Sequence, residues 1–69
     1  MIEVFKTNVH RHTEASKLVA LLLYHFPGSK INFDLDDCDK VLRVEGVHFV
    51  IEKVMNIMRE SGYQCAILD

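Results

Sequence analysis

The chain has little of what would place it in several large classes of protein. Its 69 residues include no tryptophan, one proline, three glycines and two cysteines. Two cysteines, Cys38 and Cys65, are too few for a disulfide framework. With no apolar signal segment at the N-terminus, we expect reduced thiols and a location in the cytoplasm. The longest uninterrupted apolar run, residues 18–23, is far shorter than a membrane span, so we expect no membrane partner.

An excess of positive charge is also lacking. Lys and Arg number 8 against 10 Asp and Glu, so the formal net charge is −2 at pH 7. Because phosphate binding needs a basic surface, we expect no nucleic acid partner. A hydrophobic share of 49% with 26% charged residues indicates a globular chain rather than a disordered one. At this length we expect residues 1–69 to form a single domain with one modest core.

No pattern typical of an enzyme is present. The chain has no glycine-rich phosphate loop and no cysteine–histidine pair within a supporting motif. Arg11 lies at the start of a predicted helix, but a single arginine at a helix N-terminus is too common to indicate an anion-binding site. We therefore expect a protein that is not an enzyme.

Hydrophobic periodicity predicts a strand and then a helix in the first part of the chain. Residues 2–9 alternate loosely and are rich in β-branched and aromatic side chains, which favours a strand. Thr13 is the predicted N-cap of the helix, and the turn at Pro27-Gly28 ends it. The apolar stripe of this helix has the spacing i, i+3, i+4, i+7: Ala15, Leu18, Val19, Leu22, Leu23 and Phe26.

The second part predicts a hairpin, a helix and a last strand. Residues 30–35 and 40–45 alternate at period two around a turn at 36–39, which is typical of a hairpin with one face covered. A second helix is expected to end at Ser61-Gly62, followed by a strand over residues 63–68. Its apolar stripe begins directly after Gly46: Val47, Val50, Ile51, Val54, Ile57 and Met58.

These elements predict an α+β fold. Helices with one apolar stripe and strands with one apolar face stack as two layers. Right-handed crossovers then give a ferredoxin-like βαββαβ two-layer sandwich with an antiparallel sheet in the order 4-1-3-2. In this topology His25 and His48 lie toward one end of the sandwich. The opposite end gathers the side chains that are most able to bind a ligand or to react: His10, His12, Asp36, Asp37, Cys38, Asp39, Tyr63 and Cys65.

Two segments carry a resemblance to a known family. Residues 26–35, Phe-Pro-Gly-Ser-Lys-Ile-Asn-Phe-Asp-Leu, and the pair Gly62-Tyr63 are similar to the second-strand region and the final loop of the heavy-metal-associated domain. This domain is the fold of small copper chaperones and of the N-terminal modules of metal-pumping ATPases. The resemblance covers nearly the whole chain in element order and length. The family's motif, Met-x-Cys-x-x-Cys, is missing. Its positions fall near His10, His12 and Ala15, and none of these residues is Cys or Met.

His10 and His12 are the candidate metal ligands that remain. Neutral imidazoles suit Zn(II), Cu(II), Ni(II) or Co(II) better than Cu(I). Two nitrogens bind weakly, so a further ligand is needed from Cys38, from an aspartate of the hairpin turn or from a second subunit. The alternative is a pair of solvated loop histidines without a metal. Cys65, within the last predicted strand, is expected to be a buried apolar residue.

The sheet face away from the helices is the other candidate surface. We expect Phe5, Val41, Ala66 and Leu68 on this face, where a contiguous apolar patch would mark a homodimer or a protein partner. Tyr63 is a further candidate contact residue at the histidine-bearing end. Three functions remain open: a metal-binding module, a structural or protein-interaction domain without metal, and a regulatory domain that binds a small ligand.

Overall fold

The computed structural model describes residues 1–69 as two helices packed against one face of a four-stranded antiparallel sheet. The predicted α+β class is therefore confirmed. Across the sheet the strands follow one another as residues 30–34, 41–45, 2–7 and 65–67, which is the order 4-1-3-2 read from the other edge. Neither helix is long and apolar enough to cross a membrane. The elements in chain order are β1 (Ile2–Thr7), α1 (His12–His25), β2 (Lys30–Asp34), β3 (Val41–Glu45), α2 (Ile51–Glu60) and β4 (Cys65–Ile67).

A single cluster of buried side chains holds the two layers together. The inner face of the sheet supplies Phe5, Leu42, Val44 and Cys65, and the two helices supply the stripes that their periodicity predicts. The helical members are Ala15, Leu18 and Leu22 of α1 with Val54, Ile57 and Met58 of α2. The four buried residues between the elements are Val9, Phe26, Leu35 and Phe49. No polar or charged residue is buried, so apolar burial is the main stabilising contribution of this core.

The junction between β1 and α1 differs from the prediction by a few residues. β1 ends at Thr7, because the Thr7 hydroxyl accepts a hydrogen bond from the Val9 N–H at 3.2 Å and so turns the chain out of the ladder. The helix begins at His12, and its N-cap is Arg11, with φ −108° and ψ 136° and no side-chain capping bond. Thr13 therefore lies inside the first turn and is not the N-cap.

The start of α2 is the largest difference. The predicted stripe begins at Val47, but the helix begins at Ile51, and Val47 and Val50 are 82% and 58% exposed. Phe49 is buried instead and anchors the β3–α2 connection in the core. In a helix that began at Val47, Phe49 would lie off the apolar stripe, so the shorter helix is the one that buries the aromatic ring.

The end of α2 agrees with the prediction. Gly62 adopts φ +96°, and its N–H donates to the Arg59 carbonyl while the Tyr63 N–H donates to the Met58 carbonyl, both at 3.0 Å. This pair of bonds is the Schellman arrangement, in which glycine supplies the left-handed residue. Because Tyr63 is used to close the helix, β4 begins only at Cys65.

Candidate functional site

Three loops meet at the end of the sheet where β1 stops. The Thr7 hydroxyl donates to the Lys40 carbonyl at 2.6 Å, and the Thr7 N–H donates to the Asp39 carbonyl at 3.0 Å. On the other side, the Asn8 side-chain oxygen accepts the Gln64 N–H at 2.8 Å. We call this region the hairpin end: residues 8–12, 35–40 and 61–64. Its three loops share one end of the molecule, as the topology predicts.

The acidic hairpin turn uses its carboxylates for its own backbone. Asp34 and Asp37 each accept the N–H of the residue two positions later, at 3.2 and 2.9 Å. These are Asx turns, in which the side chain imitates a backbone turn. Lys40 adopts φ +46°, and its ammonium donates to the Leu35 carbonyl at 2.9 Å. Two of the four aspartates, Asp34 and Asp37, therefore have a structural role in the turn.

The predicted metal ligands are all exposed at the hairpin end. His10 lies in the β1–α1 loop, His12 is the first residue of α1, and Cys38 lies at the hairpin tip. The one group of three ligand-type side chains that comes together is Asp37, Cys38 and Asp39, whose ligand atoms lie within 4.8 Å of one another. Neither histidine belongs to this group, and one Asp37 oxygen already holds a backbone N–H.

Tyr63 lies half-buried beside the first turn of α1. Its pKa is raised above the usual value of 10.0, first because desolvation disfavours the phenolate. The Glu14 carboxylate raises the pKa further as a hydrogen-bond acceptor and through its charge, whereas the Arg11 guanidinium lowers it. The phenol is therefore protonated at neutral pH.

Cys65 is a core residue, as expected. Its side chain faces the helices, and burial raises the pKa of the thiol to about 11, with the Arg59 cation acting weakly in the opposite direction. The Arg59 guanidinium also donates to the Cys65 carbonyl at 3.0 Å. A thiol that stays neutral is a poor nucleophile and a poor metal ligand. Cys38 is therefore the only cysteine available for binding chemistry.

The position of Phe5 corrects the predicted composition of the uncovered sheet face. Phe5 pairs with Leu42 in the β1–β3 register, and both are 0% exposed beneath the helices. Phe5 is therefore not a partner-binding residue of the other face. The sequence left this open because β1 has apolar residues at Ile2, Val4 and Phe5, on both faces of the strand. The aromatic ring takes the core side because it buries the largest apolar area.

The uncovered face carries an apolar strip, formed by Val4, Val41, Ala66 and Leu68, among charged side chains. Val41 and Ala66 both pair with the exposed Lys6, and cross-strand partners share a face, so these predicted residues lie there. Leu68 continues the alternation beyond Ala66, and its N–H donates to the Val4 carbonyl at 2.9 Å. We call this surface the open face: Ile2, Val4, Lys6, Lys30, Asn32, Asp34, Val41, Arg43, Glu45, Ala66 and Leu68.

Sequence reasoning missed two members of the open face, Ile2 and Val4. Ile2 is 52% exposed and Val4 is half-buried at the centre of the face. The signal was present, because placing Phe5 inside forces residues 2, 4 and 6 to the outside at period two.

The helix-covered side has its own depressions. A groove between α1 and the edge strand β2 has a volume of about 330 Å³ and includes His12, Val19 and Phe33 among its lining residues. At the end opposite the hairpin end, His25 and His48 line a depression of about 400 Å³ around the Pro27-Gly28 turn. These two histidines are separate from His10 and His12, as the topology predicts.

Comparison with known proteins assigns no family. No family model, no curated protein and no solved structure matches the chain.

Proposed function

We propose that this protein is a small non-enzymatic interaction module of ferredoxin-like type that docks a protein partner through the open face. The observation that carries the proposal is the apolar strip on a sheet face that no helix covers. A contiguous apolar surface ringed by charge is typical of a protein-binding site. The two helices cover only the other face, so the strip stays in contact with water until a partner covers it.

The strip runs across the three strands β3, β1 and β4. Val4 is central, with Leu68 beside it on the β4 side and Val41 diagonally placed on β3. Directly opposite side chains on one face, such as Val4 and Leu68, stand about 5 Å apart, and diagonal neighbours, such as Val4 and Val41, stand about 7–8 Å apart, so these residues are neighbours on one surface. A partner surface of similar shape, built from aliphatic or aromatic side chains, would exclude water from it.

The charges around the strip constrain the partner. Arg43 is satisfied within the face by Glu45, at 3.1 Å. Lys6 stands between Val41 and Ala66 and forms no ion pair within the chain. A partner that places a carboxylate opposite Lys6 would therefore gain charge complementarity, which mainly increases the association rate and the specificity.

The test is to capture partners with the wild-type chain and with Ala66→Glu, and then to reconstitute binding with the purified partner. Ala66 is exposed, so this change places a charge in the strip without removing core contacts. The control is Lys53→Glu, an exposed change on α2. We expect Ala66→Glu to abolish binding and Lys53→Glu to retain it. Equal binding by both variants would contradict docking through the open face.

A second candidate is a divalent metal site at the hairpin end, as in a heavy-metal-associated domain with altered ligands. It is supported by the hydrogen bonds that tie the end of β1 to the hairpin turn, since His10 and His12 follow β1 and Cys38 lies at the tip of that turn. Side-chain rotation would be needed to bring them onto one ion. Zn(II), Ni(II) or Cu(II) fits two imidazoles with a thiolate, provided that Cys38 is reduced as in the cytoplasm.

A Zn(II) titration followed by thermal unfolding tests this candidate. A ligand that binds only the folded state raises the melting temperature, and at a hundredfold excess over Kd the gain is about 2.7 kcal/mol. We expect His12→Ala and Cys38→Ser to remove the shift, and His48→Ala, at the opposite end, to keep it. A shift that survives in His12→Ala, or that is absent from the wild type, would refute a site at these residues.

A further inference from the structure

The edge strand β2 exposes hydrogen-bonding groups that no part of the chain satisfies. The Gly46 N–H donates to the Met1 carbonyl at 3.0 Å, which marks Met1 and Gly46 as a hydrogen-bonded pair of the β1–β3 ladder. In antiparallel sheets such pairs alternate, so β3 residues 42, 44 and 46 bond to β1, and 41, 43 and 45 bond to β2. On β2, residues 30, 32 and 34 then bond to β3. The N–H and C=O of Ile31 and Phe33 point outward.

The charges of β2 are arranged antisymmetrically about its central residue. The strand reads Lys30-Ile31-Asn32-Phe33-Asp34. When two such strands lie antiparallel with Asn32 opposite Asn32, each Lys30 faces an Asp34 of the other copy. Ile31 then faces Phe33, and these are the residues whose backbone groups are free, so each pair exchanges both of its hydrogen bonds. The positions of the charges, the alignment of the residues and the direction of the free N–H and C=O groups all favour the same pairing.

The groove above β2 has the shape that this pairing requires. The α1 residues that line it, His12, Ala15, Ser16 and Val19, follow the spacing i, i+3, i+4, i+7. Ala15 is buried in the core, whereas His12 and Ser16 are exposed. Strands in a sheet lie about 4.8 Å apart, and each helix covers about two of them, so the α1 helices of two paired copies would lie about 10 Å apart. The small side chain of the exposed Ser16 permits this approach.

We propose that two copies of this chain associate edge to edge through β2, forming one continuous sheet with the two α1 helices side by side. The other edge is a poorer candidate, because β4 has three residues, Cys-Ala-Ile, and carries no charge. The edge of β2 is a different surface from the apolar strip. The association therefore stands or falls independently of partner docking through the open face.

Sedimentation equilibrium over a concentration series tests the association. We expect the wild-type mass to rise from 8.0 kDa toward twice that value. Lys30→Asp and Asp34→Lys each replace both attractive cross-strand pairs by repulsive ones, which is expected to raise the dissociation constant about tenfold. An equimolar mixture of the two variants restores attraction in both pairs, as does the double variant Lys30→Asp/Asp34→Lys, and both are expected to associate again. Lys53→Asp is the control for net charge.

Asp34 also accepts a backbone N–H of the hairpin turn, so Lys30→Asp is the cleaner single variant, and circular dichroism should confirm that both are folded. Amide hydrogen exchange gives an independent readout. Protection of the Ile31 and Phe33 amides is expected to rise with protein concentration, while that of Asn32 stays constant. A mass that remains at 8.0 kDa up to millimolar concentration, or a Lys30→Asp variant that associates as the wild type does, would overturn the proposal.

Discussion

Substitutions at two adjacent residues of β1 test the contributions of the two sheet faces to stability separately. Phe5 is 0% exposed in the core, whereas Val4 lies on the open face and is half-buried by its strand neighbours. Truncation of a buried phenylalanine to alanine costs about 3–5 kcal/mol. A domain of this length has a stability of roughly 3–10 kcal/mol, so Phe5→Ala would remove a large fraction of it. The milder Phe5→Leu is therefore the useful variant.

We expect Phe5→Leu to lower the free energy of unfolding by about 1–2 kcal/mol, and Val4→Ala by less than about 1 kcal/mol. The difference arises because Phe5→Leu leaves a gap among Leu42 and its core neighbours, while Val4→Ala trims a surface already in contact with water. Urea denaturation followed by far-ultraviolet circular dichroism measures both, with an unchanged m-value as the check on two-state behaviour. A larger loss for Val4→Ala than for Phe5→Leu would refute the register of β1.

Three further predictions follow from particular contacts. Gly62→Ala places a Cβ on a residue with φ +96° and is expected to destabilise by about 1 kcal/mol, as measured by urea denaturation; a neutral effect would contradict the left-handed conformation. Gly46→Ala puts a Cβ 2.7 Å from the Ser29 hydroxyl oxygen, so it should lower the melting temperature, and adding Ser29→Gly should recover part of the loss; equal melting temperatures would show that the approach is not close. Cys65 keeps its proton in the folded state up to a pKa of about 11, whereas in the unfolded chain it ionises from about 9.0, so its contribution to stability is complete below pH 9 and is lost as the pH rises toward 11. Comparing unfolding free energies with a Cys65→Ala variant across this range checks that prediction, and identical pH profiles for the two chains would contradict it.

Period-two alternation was sufficient to predict the central hairpin and three-residue to four-residue spacing was sufficient to predict α1. In β2, and in β3 from Leu42 onward, the apolar residues occupy one face only, so strand type and orientation follow directly from the pattern. β1 carries apolar residues on both faces, and its orientation depends on tertiary packing of Phe5. The start of α2 could not be predicted, because Val47 and Val50 fit a helical stripe and only the burial of Phe49 excludes it.

The candidate sites divide in the same way. Exposure of His10, His12 and Cys38 at one end follows from topology alone, and the structure agrees with it. Whether they bind a metal depends on side-chain geometry that no local pattern encodes. The residues of the open face are known only once it is known which residues of β1 point away from the helices. The backbone groups of β2 that point outward are known only from the hydrogen-bond register. Neither follows from periodicity alone.

The most direct test of the central claim is an NMR titration of the ¹⁵N-labelled chain with a partner recovered by affinity capture. Docking through the open face predicts chemical-shift changes centred on Val4, Val41 and Leu68, with little change at His10 and Cys38. Changes confined to the hairpin end, with the open face unaffected, would contradict it.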